Sequence, residues 1–189
     1  TLFACEQEGI SPDMVTIAKG LGAGYQPIGA MLCTAEIYDT IARGSGFFQH
    51  GHTYMGHPLA SAAATAVVKA ITGRGLLGNV RDKGAKLRAR LEESFGQHAH
   101  VGDIRGRGLF LGLEFVEDRE TKAPFDPKRG IAKALKKAAF AQGLICYPMS
   151  GTIDGVNGDH VLLAPPFIMD DDQVDEVVSK LERAVSAVL

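Results

Sequence analysis

The stretch Val15-Thr16-Ile17-Ala18-Lys19-Gly20-Leu21-Gly22-Ala23-Gly24-Tyr25-Gln26-Pro27-Ile28-Gly29 constrains this chain more than any other. Val, Thr and Ile favour a strand, because branching at Cβ suits a pleated, half-buried surface. Gly20, Gly22 and Gly24 then let the backbone turn tightly and approach a ligand closely. Lys19 is therefore expected at the tip of a strand, facing a glycine-lined hollow. Stripped of water there, its amine would be a nucleophile. Buried lysines are rare, so position alone favours a solvated charge. Ile17 and Ala18 on one side and the glycines on the other argue for the hollow.

Two phosphate-binding readings of the glycines fail. A dinucleotide loop must run into a helix whose N-terminus holds pyrophosphate. Here Pro27 and Gly29 follow, and no helix starts between them. A P-loop carries its lysine after the glycines, whereas Lys19 precedes them.

Bulk properties exclude further classes. The chain has 189 residues, enough for one domain or two small ones. Its net charge of −2 gives no basic footprint for nucleic acid. No apolar run reaches the roughly 20 residues of a membrane span. Residues 1–6 lack the basic start and long apolar core of a signal peptide. Cys5, Cys33 and Cys146 are sparse and unpaired in spacing, which argues against a disulfide framework and for a reducing cytoplasm. His50, His52 and His57 crowd one loop, but no Asp, Glu or Cys accompanies them, so no metal is expected.

Periodicity places strands at 15–18 and 29–34, a helix at 35–43 with Thr34 as N-cap, and a loop at 44–56. Pro58 opens a helix of small residues through Ala70. Gly73 and Gly75 punctuate the chain, and a boundary is expected near residues 76–79. A helix from Val80 to Phe95 follows, then a hairpin from Asp103 to Val116. A basic amphipathic helix is expected at 128–142, strands at 144–147 and 160–163, and a final helix opening on Asp170-Asp171-Asp172.

Four blocks together resemble the class III aminotransferases, fold-type I enzymes that use pyridoxal 5′-phosphate (PLP). They are Pro12-Asp13-Met14 with Ala18 to Ala30; Phe48-Gln49-His50-Gly51-His52-Thr53-Tyr54-Met55-Gly56-His57-Pro58-Leu59-Ala60; Arg105-Gly106-Arg107-Gly108-Leu109; and Ala164-Pro165-Pro166-Phe167. The resemblance covers nearly the whole chain but only the second half of such an enzyme. The family's phosphate loop, its ring-stacking aromatic residue and its pyridinium-pairing aspartate lie before this point, so the chain is expected to be a fragment or a truncated product. The implied fold is α/β: residues 1–77 as the C-terminal part of the cofactor-binding large domain, then residues 78–189 as a small α+β C-terminal domain.

The resemblance implies that Lys19 is the catalytic residue, linked to PLP as a Schiff base and moving a proton once displaced. It implies that Thr53 binds the cofactor phosphate of a partner subunit through its hydroxyl and backbone N–H, so a homodimer or higher homo-oligomer is expected. The expected reaction moves an amino group from an amine or ω-amino acid to a keto acid. Aminomutase, racemase or decarboxylase chemistry would use the same two residues. The other reading is a folded, dimerising domain without chemistry. An amine of Lys19 in open solvent, far from any hollow shaped by residues 20–29, would leave only the family likeness.

One departure bears on substrate. Family members acting on α-amino acids place an arginine shortly before the Pro-Pro pair. Here Leu162 stands about there, and no arginine occurs between Arg129 and Arg183. That favours donors without an α-carboxylate, unless an arginine comes from outside this chain. Arg105 and Arg107 could clamp a carboxylate, but ion pairs with Asp103 or Glu114 are the expected role. The loop from Ser150 to Gly158 is expected at the pocket mouth.

Overall fold

The branched run at 15–17 becomes β1 (Met14–Ala18), which pairs antiparallel with β2 (Gly29–Cys33). The register runs from Met14 opposite Cys33 to Ala18 opposite Gly29, so the glycine segment is the loop of a long hairpin. The computed structural model describes all residues, Thr1–Leu189. They form two compact units, Thr1–Leu77 and Gly78–Leu189.

In the first unit the hairpin is joined by α1 (Ala35–Arg43) and α2 (Pro58–Gly73). Thr34 holds the N-cap position of α1 in an extended conformation, but its hydroxyl makes no capping bond. At α2 the cap is His57, whose Nδ1 accepts from the Ala60 N–H at 3.4 Å, and Pro58 fills the first turn, where an N–H has no helical partner. This unit buries little: Ala60, Ala64 and Gly22 are its only fully buried residues.

The second unit holds the core. An antiparallel sheet of β3 (Val101–Arg107), β4 (Phe110–Phe115), β5 (Tyr147–Ser150) and β6 (Asp159–Leu163) has the order β3-β4-β6-β5. Strand alternation sends Leu111, Leu113, Phe115, Val161 and Leu163 to one face. There they meet Leu87, Leu91 and Phe95 of α3 (Leu76–Phe95), Leu135 and Ala139 of α4 (Ile131–Ala141), and Val174, Val178 and Leu181 of α5 (Asp171–Ser186). Helices on one face and an open opposite face make this unit α+β.

Gly84 sets how closely α3 approaches the hairpin. A Cβ there would lie 2.5 Å from the backbone carbon of Gly108, in the turn between β3 and β4. Further along the same helix, Asn79 donates to the carbonyls of Phe167 (2.7 Å) and Met169 (3.0 Å), fixing the approach to α5. Asp170 and Gln173 then form a capping box, and Asp171 and Asp175 pair with Lys83, Lys86 and Arg90 of α3.

Several boundaries differ from the sequence expectations: α2 runs past Ala70 to Gly73, and the hairpin begins at Val101 rather than Asp103. Helix α3 begins at Leu76 rather than Val80, directly after Gly75 at φ 68°, so it runs through the division between the units. The helix expected from 128 splits: Pro127–Arg129 is a 3₁₀ turn, and left-handed Gly130 separates it from α4. The strand expected at 144–147 starts only at Tyr147. Leu144 instead closes α4, its N–H reaching the Ala139 carbonyl while Gly143 N–H reaches Phe140. Pro148 is tolerated in β5 because that strand lies at the sheet edge.

A ring cluster makes the second unit sensitive to acid. His98 Nδ1 accepts from the His100 N–H at 3.1 Å, and burial, His100 and Arg119 hold its pKa below the ordinary 6.5. The fold thus favours the neutral imidazole. Its stabilisation is complete above about pH 6.5 and declines as pH falls below that, where the unfolded chain binds more protons. The urea midpoint is expected to drop between about pH 7.5 and 5.5, with a shallower drop in His98→Asn. A midpoint independent of pH over that interval would refute this.

Candidate functional site

Strand β1 ends at Ala18, and the next residue turns left-handed: Lys19 has φ 49° without being glycine. Such a conformation is strained for a residue with a Cβ and persists only where the surroundings impose it. Here the turn that follows imposes it. Gly22 N–H bonds the Lys19 carbonyl (3.0 Å), Ala23 N–H that of Gly20 (3.2 Å) and Tyr25 N–H that of Gly22 (2.9 Å). Helix α2 packs against the Lys19–Leu21 turn. Space for a Cβ at Gly20 and Gly24 is open.

The expected desolvation of Lys19 is not observed. Lys19 is exposed, as are Gly20, Ala23 and Gly24. The physical reason is the two-stranded sheet: β1 has no neighbour but β2, and within the first unit no layer of side chains covers the strand tip. The left-handed turn was equally illegible in the sequence, since the glycines around Lys19 drew attention from its own dihedral.

Thr53 lies in an exposed turn before α2. Met55 N–H bonds the His52 carbonyl (3.0 Å) and His57 N–H that of Tyr54 (3.2 Å), which shapes the turn. The Thr53 hydroxyl and N–H make no hydrogen bond within the chain. A free hydroxyl beside free main-chain donors is a donor set suited to phosphate. No hydrogen bond links Thr53 to Lys19. Of the three loop histidines, His57 is committed to its cap and His50 stacks edge-on to Phe48 at 5.8 Å. No group of three His, Cys, Asp or Glu side chains is arranged to hold a metal.

The open face of the four-stranded sheet carries a cavity of about 250 Å³. Leu162 lines it with Arg105, Phe110, Glu114, Thr152 and His160. Arg105 is already committed, as the sequence suggested: one terminal nitrogen donates to Asp103 and Glu114, both at 2.7 Å. Glu114 first and Asp103 second raise its pKa. His160 shares a 2.6 Å hydrogen bond with Thr152, tying the 151–158 loop to the sheet. Burial lowers the His160 pKa, and Arg105 adds to this. The sequence did not single out Thr152 or His160, although His160 falls on the outward side of the β6 alternation.

Residues 1–185 match the family described as Aminotransferase class-III. The chain is 40% identical, over 187 residues, to an uncharacterized aminotransferase of Bacillus subtilis, covering 99% of this chain and 42% of that protein. It is 37% identical over 193 residues to a probable mitochondrial gamma-aminobutyrate transaminase of Oryza sativa, covering 99% of this chain and 36% of that one. Among solved structures, a transaminase from the marine bacterium Virgibacillus superposes with a TM-score of 0.91 at 32% identity, covering 99% of this chain and 42% of that one. A PLP-bound amine transaminase from an uncultivated Pseudomonas species gives 0.86 at 35% identity, covering 97% and 40%. The chain thus spans about two fifths of the length of the proteins it matches, and it belongs to the class III aminotransferase family.

Proposed function

We propose that this chain is the C-terminal part of a PLP-dependent aminotransferase that moves an amino group from an amine or ω-amino acid to a keto acid. Thr1–Leu77 is the end of the cofactor-binding domain and Gly78–Leu189 the small C-terminal domain. The observation that carries the reading is the family match over residues 1–185, and Lys19, exposed at a strand tip beside the glycines, is the amine it offers. The residues present fit PLP. Lys19 would hold the aldehyde end, and Thr53, with the donors of its turn, would receive a phosphate held by a second copy. When bound, PLP supplies an electron sink. The Lys19 amine is the base that moves a proton at the substrate carbon. Leu162 stands about where many family members acting on α-amino acids place an arginine, which supports donors lacking an α-carboxylate. The three free cysteines suit a reducing, cytoplasmic setting, and no helix is long and apolar enough to cross a membrane.

The exposure of Lys19 favours a second reading for the chain by itself, a folded domain without chemistry. One experiment separates the two. The chain is mixed with PLP, reduced with borohydride, and the label mapped by peptide mass. Label concentrated on Lys19, and lost in Lys19→Ala without redistribution, supports the proposal. Label scattered over many lysines supports the inert domain. A donor screen on a longer, active form that prefers an α-amino acid over its amine counterpart would remove the substrate assignment.

A further inference from the structure

A second cavity, of about 300 Å³, lies between α4 and the segment leading into β5. Lys133, Lys136, Lys137 and Phe140 line it from the helix, spaced so that all four share one face. Leu144 and Ile145 line it from the other side. The rim is unusually apolar for a surface: Phe140 is 72% exposed and Ile145 87%.

The charge here is uncompensated. Like charges three and four residues apart repel one another along a helix, and α4 (Ile131–Ala141) contains no acidic residue. No carboxylate pairs with Lys133, Lys136 or Lys137, whereas Lys83, Lys86, Arg90 and Lys180 on the neighbouring helices all have partners. Three unpaired cations thus surround an apolar groove in a chain whose net charge is −2. Cys146 also lines the groove, and burial pushes its thiol up to about 11.

We infer that the α4–β5 groove binds a small amphipathic anion, a carboxylate with a short apolar tail. The tail lies on Leu144, Phe140 and Ile145, and the head sits among the three ammonium groups. Size favours a small ligand. The volume sits at the lower end of the ~300–1,000 Å³ typical of ligand pockets, while a stable protein interface needs about 800 Å² on each side. A helix lying on a membrane needs a whole apolar face outward, and that of α4 is turned into the core through Ile131, Leu135 and Ala139.

The test titrates the full chain at low salt with octanoate, octylamine and octanol, following the Ile145 methyl and Phe140 ring signals by NMR. Octanoate is expected to saturate with a Kd on the order of 1 mM or tighter, octanol to bind more weakly, and octylamine not to bind. In Lys136→Glu/Lys137→Glu, octanoate affinity falls at least about tenfold. Both lysines are exposed, and a cooperative urea transition whose midpoint does not fall verifies that the variant is folded. Equal binding of octylamine, affinity unaffected by the double substitution, or an absence of saturable shifts overturns the inference. So does retention on phosphatidylserine vesicles with no response to octanoate.

Discussion

Gly84→Ala is expected to destabilise the Gly78–Leu189 unit severely. The added methyl would sit 2.5 Å from the Gly108 carbon and 2.6 Å from its oxygen, both backbone atoms of the hairpin turn. The turn has little freedom to retreat: Gly108 is itself left-handed, and Val80 of the same helix lies against it. Either α3 lifts off the sheet, withdrawing Leu87 and Leu91 from the core, or the hairpin breaks its pairing. The expected cost is about 3 kcal/mol or more, read as a lowered urea midpoint by circular dichroism. Gly78→Ala is the internal control. It lies on the same helix with its nearest atom 3.8 Å away, and is expected to stabilise by up to about 1 kcal/mol. Equal midpoints for the two variants would disprove the close-approach argument.

Phe115→Ala has the other large effect. Phe115 is almost wholly buried where β4 meets the helices. Truncation loses its transfer free energy and leaves a cavity, about 3–5 kcal/mol together. Phe110, on the same strand but the opposite face, is 58% exposed, and its truncation is expected to cost no more than about 0.5 kcal/mol. Similar losses from the two would mean that the sheet has no distinct inner face.

The contrast between these two phenylalanines was legible in the sequence, because strand alternation assigns residues to faces without knowledge of the partner. The same rule yielded β1, β2 and β6 within a residue or so, and the β3–β4 hairpin as an undivided segment. Failures came where a local motif outranked periodicity. Leu144 looked like the start of a strand but serves the C-terminal cap of α4, and Gly130 cut a helix that its lysines seemed to begin. At the candidate site the motifs drew attention to Lys19 and Thr53, but the exposed surroundings of Lys19 were not legible. Arg105 found the partners expected of it. Burial of Lys19 depends on layers that a two-stranded ribbon does not supply.

Asp159 is 5% exposed, the only buried charged residue. Its Oδ1 accepts from the backbone N–H of Ala132 at 3.1 Å, in the first turn of α4. Gly130, at the N-cap position, has no side chain to do this, so the anion comes from a strand 27 residues away, where the helix dipole favours it. The end group that stabilises α4 thus belongs to β6, so the lysine-bearing surface of that helix depends on the sheet behind it.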